Sequence, residues 1–224
     1  MEIADMLKAQ ETARSLVYRR LADAFCEPSP ALAAVLAEME AALSNLGSDT
    51  CSRATRLKAA YTDSADIRTL KVDYTALFLG PFLVPAPPYG SVYLEDEHRL
   101  MGDSTIDARR QYRSSGLDLS PDFMEAPDHI CAELEFMHLL VGESLEAVCV
   151  ADAVRLEESV RRQRDFLQNH LGAWLPAFAA RVVEHAGTDF YGGLALLTAA
   201  FIAEDLEALT DLPVEQRAAA EATV

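Results

Sequence analysis

The sequence predicts an all-α protein, a single helical domain of about ten helices with a long proline-rich loop near its centre. Apolar residues recur at three- and four-residue spacing over most of the 224 residues, which is the period of an amphipathic helix. Half of the residues are hydrophobic, enough for one large core. No stretch of useful length alternates between apolar and polar residues, so we expect no sheet.

Four helices are expected before the loop. Pro28 and Pro30 end the first helix, because proline cannot continue the backbone hydrogen bonds, and Gly47 ends the second. The predicted ranges are 3–25, 32–46, 52–61 and 67–79.

The segment from Gly80 to Gly90 changes the character of the chain. It has four prolines and two glycines in eleven residues, which predicts an extended, preformed loop. The same segment contains Phe82, Leu83, Val84 and Tyr89. An apolar loop of this kind either packs against the domain or forms an exposed surface that binds a partner.

The remaining helices follow the loop. Pro127 is predicted as the first residue of its helix, where no amide donor is needed, and Asp152 as the cap of the next one. The predicted ranges are 105–114, 127–150, 153–170, 176–185 and 189–209. We expect the domain to span residues 1–214 and residues 215–224 to form a frayed tail.

Charge restricts the partners. The 19 basic and 36 acidic residues give a formal net charge of −17, so nucleic acid and anionic membrane surfaces are not expected as partners. A cationic partner such as an arginine-bearing peptide would be attracted, although the acidity could equally serve solubility alone. The apolar run Gly192–Ala203 is too short to span a bilayer, and the N-terminus lacks an export-signal pattern. We therefore expect a cytoplasmic protein without stable membrane insertion.

Four cysteines occur, with no CxxC pair: Cys26, Cys51, Cys131 and Cys149. Cys131 and Cys149 would lie about 27 Å apart on one helix, too far for a disulfide. All four are expected to be reduced thiols that mostly fill the core.

One alternative is a carboxylate-bridged metalloprotein. Glu135-Phe-Met-His138 and Glu95-Asp-Glu-His98 both fit the Glu-x-x-His pattern of helical di-iron proteins. On the helix after Pro127, Glu133 falls on the flank opposite Glu135, so the two cannot bind one metal. The preferred interpretation has no metal and no cofactor.

The segment EAPDHI at 125–130 places two acids and a histidine around one helix start. Asp128 and His129 are neighbours whose side chains diverge by about 100° on a helix, so an acid–base dyad is not expected. Glu125 and Asp128 either complement the positive end of the helix dipole or form an exposed rim that binds a guanidinium.

Three segments in this order resemble one family: DYTALFLGP at 73–81, APPYGSVY at 86–93, and EAPDHI at 125–130 with ELEFM at 133–137. The opening YRRLADAF at 18–25 agrees with them. The chain resembles the TorD/DmsD/NarJ family of redox-enzyme maturation chaperones over roughly residues 10–210, and resembles TorD and DmsD more than NarJ.

The resemblance implies a non-enzymatic, all-helical chaperone. It would bind the twin-arginine signal peptide and the precursor of a molybdoenzyme catalytic subunit, and would hold the precursor in the cytoplasm until cofactor insertion and Tat export. A domain-swapped homodimer is compatible with the long loop.

The resemblance also implies a peptide-binding site. We expect Asp128 and Glu125 to bind the arginines and His129 to tune their charge near neutral pH. An apolar groove is expected from the helix before the loop and from the loop itself. The residues implied are Tyr74, Leu77, Phe78, Pro88, Tyr89, Gly90, Ser91, Tyr93, Glu125, Asp128 and His129.

Overall fold

Ten α-helices form the part of the chain that the computed structural model describes, residues 2–63, 66–80, 84–95 and 101–211. Those ranges contain no strand, only an isolated bridge between Tyr89 and His129. The all-α prediction is therefore confirmed. The helices are α1 (Glu2–Ala24), α2 (Leu32–Leu46), α3 (Cys51–Asp63), α4 (Ile67–Phe78), α5 (Ser91–Leu94), α6 (Asp103–Ser114), α7 (Ile130–Cys149), α8 (Ala153–Asn169), α9 (Leu171–His185) and α10 (Asp189–Asp211).

The core is built around α1, α7, α9 and α10. Helix α1 packs along α7 and α2, while α10 packs along α9 and α3. Their facing sides bury large aromatic residues, which remove much apolar surface from water. The largest fully buried aromatic side chains are Trp174, Tyr18, Tyr191, Phe178 and Phe190.

One buried charge cluster links α1, α8 and α10. The guanidinium of Arg14 on α1 donates to both oxygens of Glu11, to both of Asp205 on α10, and to Gln163 on α8. Tyr18 also donates to Asp205 at 2.7 Å. Every N–H group of the guanidinium therefore has an acceptor, so its buried hydrogen-bond donors are satisfied inside the core.

Two predicted helix boundaries are confirmed by their caps. Gly47 follows α2 with φ of +65°, the left-handed conformation that glycine adopts without strain. The Asp152 side chain accepts from the amide of Arg155 at 3.0 Å and so caps α8.

Two predicted helix starts are wrong. Helix α7 begins at Ile130, not Pro127, because His129 is the N-cap and its Nδ1 accepts from the Cys131 amide at 3.2 Å. Helix α9 begins at Leu171, so Pro176 lies inside it. The residues Leu171, Trp174 and Leu175 are fully buried, and this burial favours the helical turn that precedes the proline.

The prediction that the cysteines mostly fill the core is also wrong. Only Cys131 is buried; Cys26 and Cys149 are exposed and Cys51 is intermediate. The short helix α5 was not predicted. The predicted tail at 215–224, like Phe82, Leu83 and His98, lies outside the described residues. Among the described helices, none combines the length and the apolarity that crossing a bilayer requires.

Candidate functional site

The loop after α4 and the segment before α7 are joined by backbone hydrogen bonds. The Gly90 amide donates to the Asp128 carbonyl, and the Ile130 amide donates to the Pro88 carbonyl, both at 2.9 Å. Tyr89 and His129 form the antiparallel bridge between these bonds. Two motifs about 40 residues apart in sequence therefore meet as one surface.

A cavity of about 170 Å³, here called the recognition pocket, opens beside this junction. The loop, the end of α1, the end of α4 and the start of α7 each supply part of its wall. Its lining residues are Phe25, Cys26, Glu27, Tyr74, Phe78, Leu79, Pro88, Tyr89, Phe123, Glu125, His129, Ile130 and Cys131.

Two exposed carboxylates belong to the recognition pocket. Glu125 accepts a hydrogen bond from the Tyr89 hydroxyl at 2.5 Å. Glu27 pairs with Lys71 at 2.7 Å, and both of those side chains are largely exposed. Burial and the neighbouring Glu125 raise the pKa of Tyr89, so the phenol stays protonated and can donate. The pocket therefore combines aromatic walls with negative charge at an accessible edge.

Asp128 does not lie at the accessible edge of the recognition pocket. Its side chain is 1% exposed, and Oδ2 accepts from the Ser91 amide at 2.7 Å. The expectation that Asp128 lies on an exposed rim is therefore wrong, and its contact with an arginine stays a prediction. The physical reason is that Asp128 precedes the N-cap of α7 and is covered by the loop that carries Ser91.

His129 is also buried, at 8% exposure. Burial lowers its pKa to about 4, although Glu125 and Asp128 act in the opposite direction. The imidazole is therefore neutral near neutral pH, and the expectation that it tunes charge there is wrong. Its ring instead lies edge-on to Tyr89, with centroids 5.2 Å apart, and its Nδ1 caps α7.

A buried polar cluster lies under the loop. The Trp174 Nε1 donates to Glu133 Oε2 at 2.9 Å, and Glu133 is fully buried. Glu133 Oε1 and His170 Nδ1 are 3.7 Å apart, longer than a hydrogen bond, and His170 Nε2 bonds Asp107 at 3.0 Å. Gly90 packs directly on this cluster, because a Cβ there would lie 3.0 Å from Trp174 Nε1. The loop is thus supported by a glycine that permits close approach.

The remaining predicted site residues separate into pocket walls and supports. Tyr74 and Phe78 line the pocket, and their rings pack edge-on with centroids 5.3 Å apart. Leu77 is buried away from it, and its carbonyl accepts from the Ala86 amide at 3.2 Å. Tyr93 is stacked on Trp174 with centroids 5.6 Å apart and lies under the guanidinium of Arg181. Of the eleven expected residues, the pocket is lined by Tyr74, Phe78, Pro88, Tyr89, Glu125 and His129.

A second groove of about 280 Å³ begins on the other side of Phe123. Phe123 lines both cavities, so they are neighbours. The groove is mostly apolar, and it is lined by Tyr112, Leu117, Asp118, Leu119, Ser120, Phe123, Ala132, Glu135, Phe136 and Leu139.

Sequence reasoning missed Glu27, Phe25 and Phe123 as pocket residues. Glu27 follows the end of α1, where no local pattern distinguishes it from any other exposed acid. For Phe25 the available signal was its position as the last residue of the motif at 18–25.

The metal alternative finds no support in the described helices. Glu135 pairs with Arg19, whereas His138 Nδ1 contacts the hydroxyl of Ser15, so the two side chains engage different partners. Within residues 2–63, 66–80, 84–95 and 101–211, no group of three or more histidine, cysteine or acidic residues could hold a metal ion.

Comparison with known proteins identifies the family. The family model described as nitrate reductase delta subunit matches residues 20–180. The chain belongs to this TorD/NarJ family. It is a redox-enzyme maturation chaperone and not an enzyme, as the sequence predicted.

Two similar family members carry chaperone names. The chain is 32% identical over 222 residues to the chaperone protein TorD of Psychrobacter sp. (strain PRwf-1), covering 95% of this chain and 98% of the relative. It is 37% identical over 127 residues to the Tat proofreading chaperone DmsD of Salmonella typhi, covering 55% of each chain.

A third relative is also named as a chaperone, and one solved structure has a similar fold. The perchlorate reductase assembly chaperone of Dechloromonas aromatica is 32% identical over 60% of this chain and 61% of its own length. The crystal structure of a redox enzyme maturation protein from Archaeoglobus fulgidus matches with a TM-score of 0.50 and 22% identity. The match covers 86% of this chain and 93% of that protein. That likeness supports the fold.

Proposed function

We propose that this chaperone binds the twin-arginine signal peptide of a molybdopterin-dependent oxidoreductase precursor in the recognition pocket. The observation that carries the proposal is the pair of exposed carboxylates, Glu27 and Glu125, at the edge of an aromatic cavity. Guanidinium groups form charge-assisted, often bidentate, hydrogen bonds with carboxylates, and their planar faces stack on aromatic rings.

The apolar part of such a peptide would continue into the second groove. Signal peptides combine a positively charged region with an apolar segment. The two cavities offer these in order: acids and aromatic rings on one side of Phe123, and an apolar surface with Leu117, Leu119 and Leu139 on the other. Helix-in-groove binding uses this arrangement of apolar anchors.

Names of relatives supply independent support. A Tat proofreading chaperone and a perchlorate reductase assembly chaperone both share sequence with this chain. By that kinship we propose that the client is the catalytic subunit of a molybdoenzyme, held in the cytoplasm until its cofactor is inserted. A domain-swapped dimer stays a prediction.

The test is a binding titration with a fluorescent twin-arginine peptide. The double variant Glu27→Gln/Glu125→Gln should bind about tenfold to a hundredfold more weakly, because hydrogen bonds to charged groups contribute about 1.5–3 kcal/mol. Glu146→Gln, an exposed acid near the other end of α7, is the matched control and should bind like the native chain.

A peptide with lysines in place of the two arginines should bind more weakly to the native chain, since lysine cannot form the bidentate contact. If the double variant and the native chain bind the arginine peptide with equal affinity, the peptide does not bind in the recognition pocket.

A further inference from the structure

Two cysteines from distant parts of the sequence meet at the wall of the recognition pocket. Cys26 follows the end of α1, and Cys131 lies in the first turn of α7. Each Sγ is 3.5 Å from the same acceptor, the carbonyl oxygen of Ala22. The two thiols are therefore neighbours, and each is the largest influence on the pKa of the other. The end of α1 and the start of α7 are therefore joined at a pair of sulfur atoms.

The two thiols differ in access and acidity. Cys26 is exposed, and the neighbouring Cys131 thiol lowers its pKa. Cys131 is 7% exposed, and the same contact together with burial raises its pKa. Thiolate is the nucleophilic form of cysteine, and redox-responsive cysteines are accessible, acidic thiols beside a second, resolving thiol. Cys26 is the accessible, acidic thiol, and Cys131 is the resolving thiol.

We propose that Cys26 and Cys131 form a dithiol modification site that a low-molecular-weight disulfide, such as oxidised glutathione, converts reversibly into an intramolecular disulfide. The Cys26 thiolate attacks one sulfur of oxidised glutathione; the S–S bond breaks and one glutathione thiolate leaves and takes up a proton. Cys131 then gives up its proton and attacks the Cys26 sulfur, which releases the second glutathione as a thiol. Two protein thiols are oxidised to one disulfide, and one glutathione disulfide is reduced to two thiols.

Cys149 provides the comparison within the same helix. It is exposed at the C-terminal end of α7, about 27 Å from Cys131 along the axis. An exposed thiol at that distance can accept a glutathione adduct but cannot be resolved by Cys131.

The disulfide would connect two walls of the recognition pocket. Cys26 lies between Phe25 and Glu27, and Cys131 follows Ile130; all of these residues line the cavity. A peptide bound there should shield Cys26 from oxidation. This consequence rests on the proposed function, whereas disulfide formation itself does not.

The experiment treats the folded, reduced protein with oxidised glutathione and follows it by intact mass and peptide mapping. The disulfide should remove about 2 Da from the native chain, in addition to any glutathione adduct on Cys149, and should yield a peptide linked through Cys26 and Cys131. Cys131→Ser should instead trap a glutathione adduct of about 305 Da on Cys26. Cys26→Ser, a change at an exposed site, should give no linked peptide, and Cys149→Ser should form the disulfide like the native chain.

Absence of the linked peptide from the native chain, or modification of Cys149 without modification of Cys26, would overturn the proposal. Twin-arginine peptide at ten times its Kd leaves about one-tenth of the pockets free, so it should slow oxidation of Cys26 about tenfold. If the disulfide forms at an unchanged rate with peptide present, the dithiol site stands and the recognition pocket is wrong. If the peptide binds at the recognition pocket and no disulfide forms, the dithiol site is wrong and the proposed function stands.

Discussion

Glu125 and Asp128 belong to one short motif but contact different residues of the loop at 88–91. Glu125 is exposed at the recognition pocket and accepts from the Tyr89 hydroxyl. Asp128 is buried and accepts from the Ser91 amide. Two acids in one motif therefore have different surroundings: Glu125 is an exposed charge at the pocket edge, and Asp128 fixes the loop that carries the pocket wall.

The same contrast extends below the loop. Glu133 and Glu135 are near neighbours on α7, yet Glu133 is fully buried against Trp174 and Glu135 is exposed beside Arg19. Removing one partner of a buried acid lowers the free energy of unfolding strongly, because the remaining polar group is left unpaired. Breaking an exposed ion pair changes it little.

The largest expected effect comes from Glu133→Ala. Trp174 Nε1 would lose its acceptor and His170 its nearby buried carboxylate, so the free energy of unfolding should fall by about 3–5 kcal/mol. Urea denaturation measures this loss. Glu135→Ala is the matched control and should change stability by about 1 kcal/mol or less. Equal losses in the two variants would contradict the contrast between buried and exposed acids.

The next effect is a pH dependence due to His129. Its pKa of about 4 in the folded chain lies below the value of about 6.5 expected when unfolded. The unfolded chain then binds more protons, so stability falls as the pH drops from about 6.5 to 4, by at most about 3 kcal/mol. His129→Asn retains a side-chain oxygen that can cap α7 and removes this titration.

Unfolding measured across that pH range should therefore show a shallower decline in stability for His129→Asn than for the native chain. Parallel curves would refute the lowered pKa of His129.

His170 should give a pH dependence of stability with the opposite sign. Burial lowers its pKa, but Glu133 and Asp107 outweigh burial and raise it above the usual value. Its stabilising contribution is complete below about pH 6.5 and is lost as the pH rises through the folded pKa. His170→Gln should remove that loss.

A smaller effect separates Asp128→Ala from Asp128→Asn. Alanine leaves the buried Ser91 amide without its acceptor, which should cost about 2 kcal/mol of unfolding free energy in urea. Asparagine keeps an acceptor oxygen and should cost less. Asparagine should also preserve affinity for the twin-arginine peptide, in contrast to Glu125→Gln. A large loss of peptide affinity in Asp128→Asn with normal stability would show that Asp128 takes part in peptide binding.

The smallest effect is expected for Tyr89→Phe. The ring stays beside His129, and only the hydrogen bond to Glu125 is lost, so stability should change by about 1 kcal/mol or less. Differential scanning calorimetry can resolve the change against Tyr89→Ala, which also removes the ring and should lose more. If the two variants are equally destabilised, the hydroxyl contact matters more than the ring.

Much of the fold was predictable because helical periodicity depends on nearby residues. The stripe through α1, the cap at Asp152 and the glycine after α2 are local signals, and the structure follows each. The wrong start of α9 has a tertiary cause. Burial of Trp174 and its neighbours outweighed the preference of Pro176 for a first turn.

The candidate site was only partly predictable. The motifs identified the loop and the start of α7, and the structure joins them through Tyr89 and His129. Glu27 and Cys26 reach the same pocket from the end of α1, about 100 residues before α7. No local pattern encodes such a meeting, because it depends on how α1 packs along α7.

The helical class, the negative net charge and the family motifs follow from the sequence without a structure, since periodicity, charge and residue spacing are properties of the chain. Tertiary structure alone decided which acids face the pocket, why His129 stays neutral, and that Cys26 meets Cys131. The physical reason is that exposure and pKa depend on the elements packed around a side chain, and those elements come from distant parts of the sequence.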